Sequence, residues 1–218
     1  MADTGDGGLF REIDEELRQE HYEKLWKQYG KYIIALAVLL ILGVAGYQGW
    51  KSYDRNNRLT SSDAFVSSLR QGEKNPTDAE TALRNLAKDG ASGYALLARF
   101  HEAALLAKSG KRDEAGASYR TIASLGSAGA LYQDLATLME SSLLLDDGLD
   151  DDLNKRLSAL MADSNPWRHA AKELVALAAL AKGETEKART LLKTLADDKT
   201  APESLRSRAG EILKGLPA

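Results

Sequence analysis

Three histidines stand at positions 21, 101 and 169, and the 218 residues contain no cysteine. Without cysteine there is no disulfide, no thiolate metal ligand and no thiol nucleophile. Imidazole is then the side chain best suited to acid–base work or metal ligation near neutral pH. His21 lies in an N-terminal segment apart from the other two, so at most two imidazoles converge. Neither His101 nor His169 belongs to an H-E-x-x-H string, the spacing that sets two imidazoles on one helical face. No G-x-S-x-G elbow presents a serine. Gly110-Lys111 lacks the upstream glycine of a phosphate-binding loop. The run "DDGLDDDLNK" (146–155) concentrates carboxylates but lacks a calcium loop's ligand spacing and closing glutamate. It reads instead as a turn in which Asp150 to Asp152 cap the next helix and face its positive end. No catalytic set, cofactor site or metal site is expected, and His101 and His169 read as residues packed near helix surfaces. The expected activity is binding, and the chain is not expected to be an enzyme.

Any binding residues must be positioned by the surrounding elements, and one stretch constrains these most: "KYIIALAVLLILGVAGYQGWK", residues 31–51. The nineteen residues from Tyr32 to Trp50 carry no charge. As a helix they extend roughly 28 Å at 1.5 Å per residue, close to the thickness of a bilayer's hydrocarbon. Trp26, Tyr29 and Tyr32 gather before the run, and Tyr47, Trp50 and Tyr53 after it. Such amphipathic rings favour the two headgroup levels. A buried core helix of a soluble protein would keep a polar stripe, and this one has none. A cleaved signal would begin with a short basic leader, whereas the leader here is 31 residues long, with five Lys/Arg against eight Asp/Glu. A retained membrane helix, residues 32–50, is the expectation. Orientation is balanced: five Lys/Arg stand in the 31 residues before the run and four in the twenty after it, which barely favours a cytoplasmic N-terminus.

Residues 1–31 read as an acidic amphipathic tail. Phe10, Ile13, Leu17, Leu25 and Tyr29 fall near one helical face, and Glu12, Asp14, Glu15 and Glu16 sit early, where the helix dipole favours them. This suits either a solvated juxtamembrane helix or a docking segment for a membrane partner. Residues 51–218 carry 24 Lys/Arg and 24 Asp/Glu. A neutral domain without a basic run is a poor candidate for nucleic acid. Alanine and leucine dominate over aromatics, which favours helix throughout.

The C-terminal part repeats. "GKRDEAGASYRTIA" and "GETEKARTLLKTLA" share Gly110/Gly183, Ala115/Ala188, Thr121/Thr194 and Ala123/Ala196. Gly72 and Gly148 extend the ladder, with spacings of 38, 38 and 35 residues, a period that helix-turn-helix repeats produce. The stretches 94–110 and 166–183 are apolar over most of their circumference, as inner helices of a stacked array are. Thr77-x-x-Glu80 and Thr200-x-x-Glu203 have capping-box spacing. Asn165-Pro166 reads as an N-cap with proline at the first helical position. The units after Gly72 and Gly148 are degenerate: one has an insertion at Asn75-Pro76, and the other has Leu153 where alanine is expected. A non-repeating helical bundle stays open as the alternative.

The turn glycine followed five residues later by alanine resembles the tetratricopeptide repeat, with Tyr119 among the few aromatic positions kept. The whole arrangement adds "HYEKLWKQYGKY" entering a single apolar run, then a divergent repeat domain over residues 51–218. It is similar to the tetratricopeptide-like family of bacterial inner-membrane proteins described as ancillary subunits of the Sec translocon. The resemblance implies an all-α fold with one N-terminal transmembrane helix, a cytoplasmic N-terminus and a periplasmic repeat domain. It implies contact with the Sec translocon and with a membrane-anchored periplasmic chaperone of the prolyl-isomerase class, assisting the folding or hand-over of exported proteins. It also implies a partner groove lined by the first helix of each pair: Leu97, Phe100, Ala104 and Lys108 in one repeat, Glu173, Leu177 and Leu180 in the other. Packed core is the alternative for these seven. An inner-leaflet scaffold of the same fold, facing the cytoplasm, is the alternative for the whole chain.

Overall fold

A computed structural model describes residues 6–72 and 74–217, with side chains from residue 23 onward. The tail side chains Phe10, Ile13, Leu17 and His21 therefore lie outside the described residues. Helix α1 spans Asp6–Gly72, followed by α2 (Pro76–Asp89), α3 (Ser92–Lys108), α4 (Arg112–Ser124), a short 3-10 turn (Gly126–Ala128) and α5 (Ala130–Leu144). Then come α6 (Asp151–Ala159), α7 (Arg168–Ala181), α8 (Thr185–Asp197) and α9 (Glu203–Gly215). No strand occurs among the described residues. The compact units are residues 1–56 and 57–218. Helix α1 belongs to both, and the boundary read at residue 51 falls inside it. Between Trp50 and Gly72 there is neither proline nor glycine to break the hydrogen-bond ladder.

In the second unit, apolar contact runs from neighbour to neighbour. Leu83, Leu86, Ala87 and Ala98 join α2 to α3, with Phe65 of α1 packed against them. Ala103, Tyr119, Ile122 and Ala136 join α3, α4 and α5. Leu138, Leu153, Leu157, Ala171 and Val175 join α5, α6 and α7. Ala176, Leu192, Leu195 and Ala209 join α7, α8 and α9. Four successive small cores in place of one central core define a helical-repeat array.

The turns explain the glycine ladder. Gly110, Gly148 and Gly183 have φ of +80°, +89° and +78°, a region that L side chains enter only with strain. After α3, Gly110 N–H donates to the Ala107 carbonyl at 3.1 Å and Lys111 N–H to Leu106 at 2.9 Å. After α7, Gly183 donates to Leu180 at 2.9 Å and Glu184 to Ala179 at 2.8 Å. This is one and the same helix-ending motif, which satisfies carbonyls the helix leaves open. Ala115 and Ala188, five residues on, are fully buried where adjacent helices meet. Gly72 departs from the ladder: it ends α1 without a positive φ, and the inserted Asn75-Pro76 makes the turn. A left-handed glycine outside the ladder, Gly129 (φ +77°), precedes α5.

Three cap expectations need correction and one is met. Asn75, not Thr77, caps α2 with its side chain, and Pro76 takes the first helical position. Glu80 is drawn away to Arg84 and Lys111. The Thr200 hydroxyl donates to Asp198 at 2.6 Å, and α9 begins only at Glu203 without a side-chain cap. Asn165 Oδ1 accepts from Trp167 N–H at 2.8 Å, so Asn165-Pro166 forms a turn just ahead of α7, which begins at Arg168. Asp150 does cap α6, accepting from Leu153 N–H at 2.7 Å, with Asp151 and Asp152 in its first turn.

The turns give a test. Nothing lies within 4 Å of a Cβ built on Gly110, Gly183 or Gly210, so only backbone conformation distinguishes them. Gly110→Ala and Gly183→Ala are each expected to destabilise the protein by about 1–2 kcal/mol. Gly210→Ala, inside α9, is expected to stabilise it by about 0.5–1 kcal/mol. Chemical denaturation of the three variants measures both signs.

Candidate functional site

The apolar run lies within α1, and none of its apolar window is buried. Among the described residues, it is one helix long and apolar enough to cross a membrane by length and composition. Ile33, Leu36, Leu39, Leu42 and Val44 are exposed, and so are the six aromatic residues expected at its edges: Trp26, Tyr29, Tyr32, Tyr47, Trp50 and Tyr53. Trp50 is 71% exposed, far from the usual state of a packed tryptophan. Gly30 sits beneath the Trp26 ring, where a Cβ would approach to 3.2 Å. The Lys31 ammonium stands 5.1 Å from the centre of the Tyr32 ring.

The seven groove positions separate into two groups. On α3, Leu97, Ala104 and Lys108 are exposed and Phe100 is half-buried. With His101, the exposed residues follow i, i+4, i+7, i+11, a single helical stripe. On α7, Leu177 and Leu180 are half-buried and Glu173 is buried. Arg208 of α9 clamps the Glu173 carboxylate through both oxygens, at 2.5 and 2.6 Å. The hydrogen bond and charge of Glu173 raise the Arg208 pKa, holding the guanidinium cationic. Helix α9 also covers Leu180 through the last apolar cluster. Leu97, Ala104 and Lys108 of α3 are therefore open, whereas α9 engages Glu173 and Leu180 of α7.

The open surface includes residues that sequence reading passed over. Tyr94 and Tyr132 line a hollow with Gly93, Leu96 and Leu97, and Leu131 and Met139 are exposed on α5. A signal for them exists: Tyr94, Tyr132 and Trp167 each stand sixteen residues before a ladder glycine. Each leans on the first helix of the preceding pair. The Tyr94 ring packs 6.1 Å from Phe65 of α1, and the Tyr132 ring packs 6.4 Å from Phe100 of α3. Trp167 Nε1–H donates to the Leu131 carbonyl of α5 at 2.9 Å.

Ion pairs hold the array beneath this surface. Glu140 of α5, fully buried, accepts from Arg120 of α4 at 2.8 Å and from Arg156 of α6 at 3.0 Å. Burial pulls the Arg156 pKa down, but hydrogen bonds and charge from Asp152 and Glu140 outweigh it and leave it raised. At the equivalent position of the preceding unit, eight residues before the ladder glycine, Glu102 accepts from Arg84 of α2 at 3.0 Å. These carboxylates join neighbouring repeats.

The histidines have different surroundings. His101 is exposed and meets the Phe65 ring edge-on at 5.1 Å. His169, at the start of α7, is buried. Its Nδ1 lies 3.5 Å from Asp198 Oδ2 and its Nε2 3.5 Å from the Thr200 hydroxyl. Burial first, then the Arg168 charge and more weakly Lys172, lower its pKa against the opposing pull of Asp198. Among the described residues, no group of three or more His, Asp or Glu side chains is placed to hold a metal ion.

These elements define a class: an array of paired helices that follows an apolar helix of membrane-spanning length. The chain matches the family model of the tetratricopeptide repeat-like domain over residues 23–207, and it belongs to that family. The matched range takes in the apolar helix as well as the array. No curated protein and no solved structure matches the chain.

His169 sets a pH dependence. Because its folded pKa lies below the ordinary imidazole value of 6.5, the unfolded chain takes up the proton first. The stability linked to His169 is thus complete above pH 6.5 and declines as pH falls through the folded pKa. His169→Gln is expected to flatten this decline, as measured by urea denaturation between pH 7.5 and 5.

Proposed function

We propose that the protein is a single-pass component of a bacterial inner membrane, with residues 32–50 crossing the bilayer and the N-terminus in the cytoplasm. The repeat array then works in the periplasm. There it binds exported proteins beside the Sec translocon, together with a membrane-anchored chaperone of the prolyl-isomerase class. Its role is binding without turnover. The observation that carries the reading is the uncovered apolar helix leading directly into a tetratricopeptide repeat-like array, since such repeats serve protein–protein interaction. The likeness of the acidic tail, single apolar run and divergent array to translocon ancillary proteins supplies the partners. The balanced charge of residues 51–218 supports recognition by shape and apolar contact over long-range charge.

Photocrosslinking in intact cells tests the reading. A benzophenone side chain at Tyr132, on the open surface, is expected to capture a translocon subunit or a periplasmic isomerase. The same group at Lys193, exposed on α8, is expected to capture them far less. Capture of cytoplasmic proteins alone from Tyr132 would contradict the proposal.

A further inference from the structure

Charge is spread unevenly along the segment that leads into the apolar run. Residues 1–20 hold seven Asp/Glu and two Lys/Arg, and Glu23 is the last acid before Asp54. From Lys24 to Tyr53, thirty residues contain no carboxylate, and Lys24, Lys27 and Lys31 stand in the eight residues just before the run. These eight belong to helix α1, where positions i, i+3 and i+7 share one side. The three lysines therefore form a single stripe, and all three are exposed. Leu25, Trp26 and Tyr29 fall on the opposite side by the same period and are exposed as well.

The stripe has room for an anion. Lys27 Nζ pairs with Glu23 at 3.3 Å, but the two side chains are 79% and 71% exposed, and so open a pair is worth little. Lys31 meets the Tyr32 ring, and no acid stands within seven residues of it in sequence.

Height decides which anion. With residues 32–50 across the bilayer, Lys31 stands at the hydrocarbon edge. At 1.5 Å per residue, Lys27 is about 6 Å and Lys24 about 10 Å further out. The headgroup layer is roughly 5–8 Å thick on each side, and a lysine's long stem carries its ammonium away from its own Cα. The stripe thus runs along the height of the lipid phosphates. The rings of Trp26 and Tyr29 suit the same layer from the other side. An acidic protein segment would satisfy the lysines alone, whereas a lipid interface satisfies both sides of the helix.

We infer that the stripe of Lys24, Lys27 and Lys31 binds the headgroup of an anionic phospholipid, whose phosphate pairs with Lys27 and Lys31 while Lys24 faces it from the water side. The inference rests on residues 32–50 spanning the bilayer and names the lipid that this end of the span selects. The full chain in detergent is mixed with equal amounts of phosphatidylglycerol and phosphatidylcholine of the same acyl chains. The lipid it retains is counted by native mass spectrometry. Phosphatidylglycerol is expected to be retained over phosphatidylcholine by roughly fivefold or more, the effect of about one lysine near an anionic surface. The triple variant Lys24→Gln, Lys27→Gln, Lys31→Gln is expected to lose the preference, and the same three positions changed to Arg to keep it. Lys51→Gln, Arg55→Gln, Arg58→Gln, which removes the cations after the run, is expected to leave most of it. Equal retention of the two lipids by the unaltered chain overturns the inference, as does a preference lost equally with the far cations. A preference that survives the lysine-to-Gln variant also overturns it, and leaves the stripe to an acidic protein partner. Flotation of the full chain with vesicles of phosphatidylcholine alone tests the span separately. A chain that floats but shows no lipid preference overturns this inference and leaves the span; one that does not float overturns both.

Discussion

Nineteen consecutive residues without a charge, held as one helix and left exposed among the described residues, set the condition that the rest of the molecule must meet. Nine aliphatic side chains between Ile33 and Val44 face outward. Moving each from water to an apolar surrounding is worth about 1.5–3 kcal/mol, so the stretch represents on the order of 20 kcal/mol. Those side chains are equally exposed in the unfolded chain, so this is free energy that folding in water leaves unused. A bilayer would supply it, and a helix satisfies its own backbone hydrogen bonds in hydrocarbon. The aromatic rings at both ends of the run suit the same environment.

The array solves a different problem. Its cores are small and rich in alanine, so each helix must approach its neighbours closely and each turn must be tight. Left-handed glycines at 110, 148 and 183 end the first helix of a pair without strain, and buried Ala115 and Ala188 let the second helix close in. Glutamates 102, 140 and 173, each paired with arginine from an adjacent helix, replace apolar area that alanine lacks. Removing one member of the fully buried Glu140 set would leave a charge without its partner, which is costlier than losing a surface ion pair. Beside α3 a hollow remains next to Tyr132 of α5, while at α7 helix α9 packs over Leu180 and pairs with Glu173.

Much of this was legible in sequence. The all-helical fold, the apolar helix and the repeat family follow from periodicity, an uncharged run and the glycine ladder, because these depend on local chemistry. That Leu97, Ala104 and Lys108 share one face of α3 was also readable from their spacing. Glu173 was not readable as a buried residue, because its state depends on Arg208, 35 residues away. The capping boxes misled for a related reason: Glu80 has stronger tertiary partners in Arg84 and Lys111 than in its own helix start. The aromatic sixteen residues before Gly110, Gly148 and Gly183 was visible in the sequence, but its meaning needed the packing of Tyr94 on Phe65 and Tyr132 on Phe100.

Sidedness bears most directly on the account. The chain has no cysteine, and Ser164 is exposed in the turn between α6 and α7, so Ser164→Cys introduces one unique thiol on the array. Intact cells would be treated with a maleimide that crosses the outer membrane but not the inner one, before and after lysis. Labelling before lysis is the predicted result, with the array outside the cytoplasm. Labelling only after lysis would contradict it, reversing the orientation and leaving a cytoplasm-facing scaffold of the same fold.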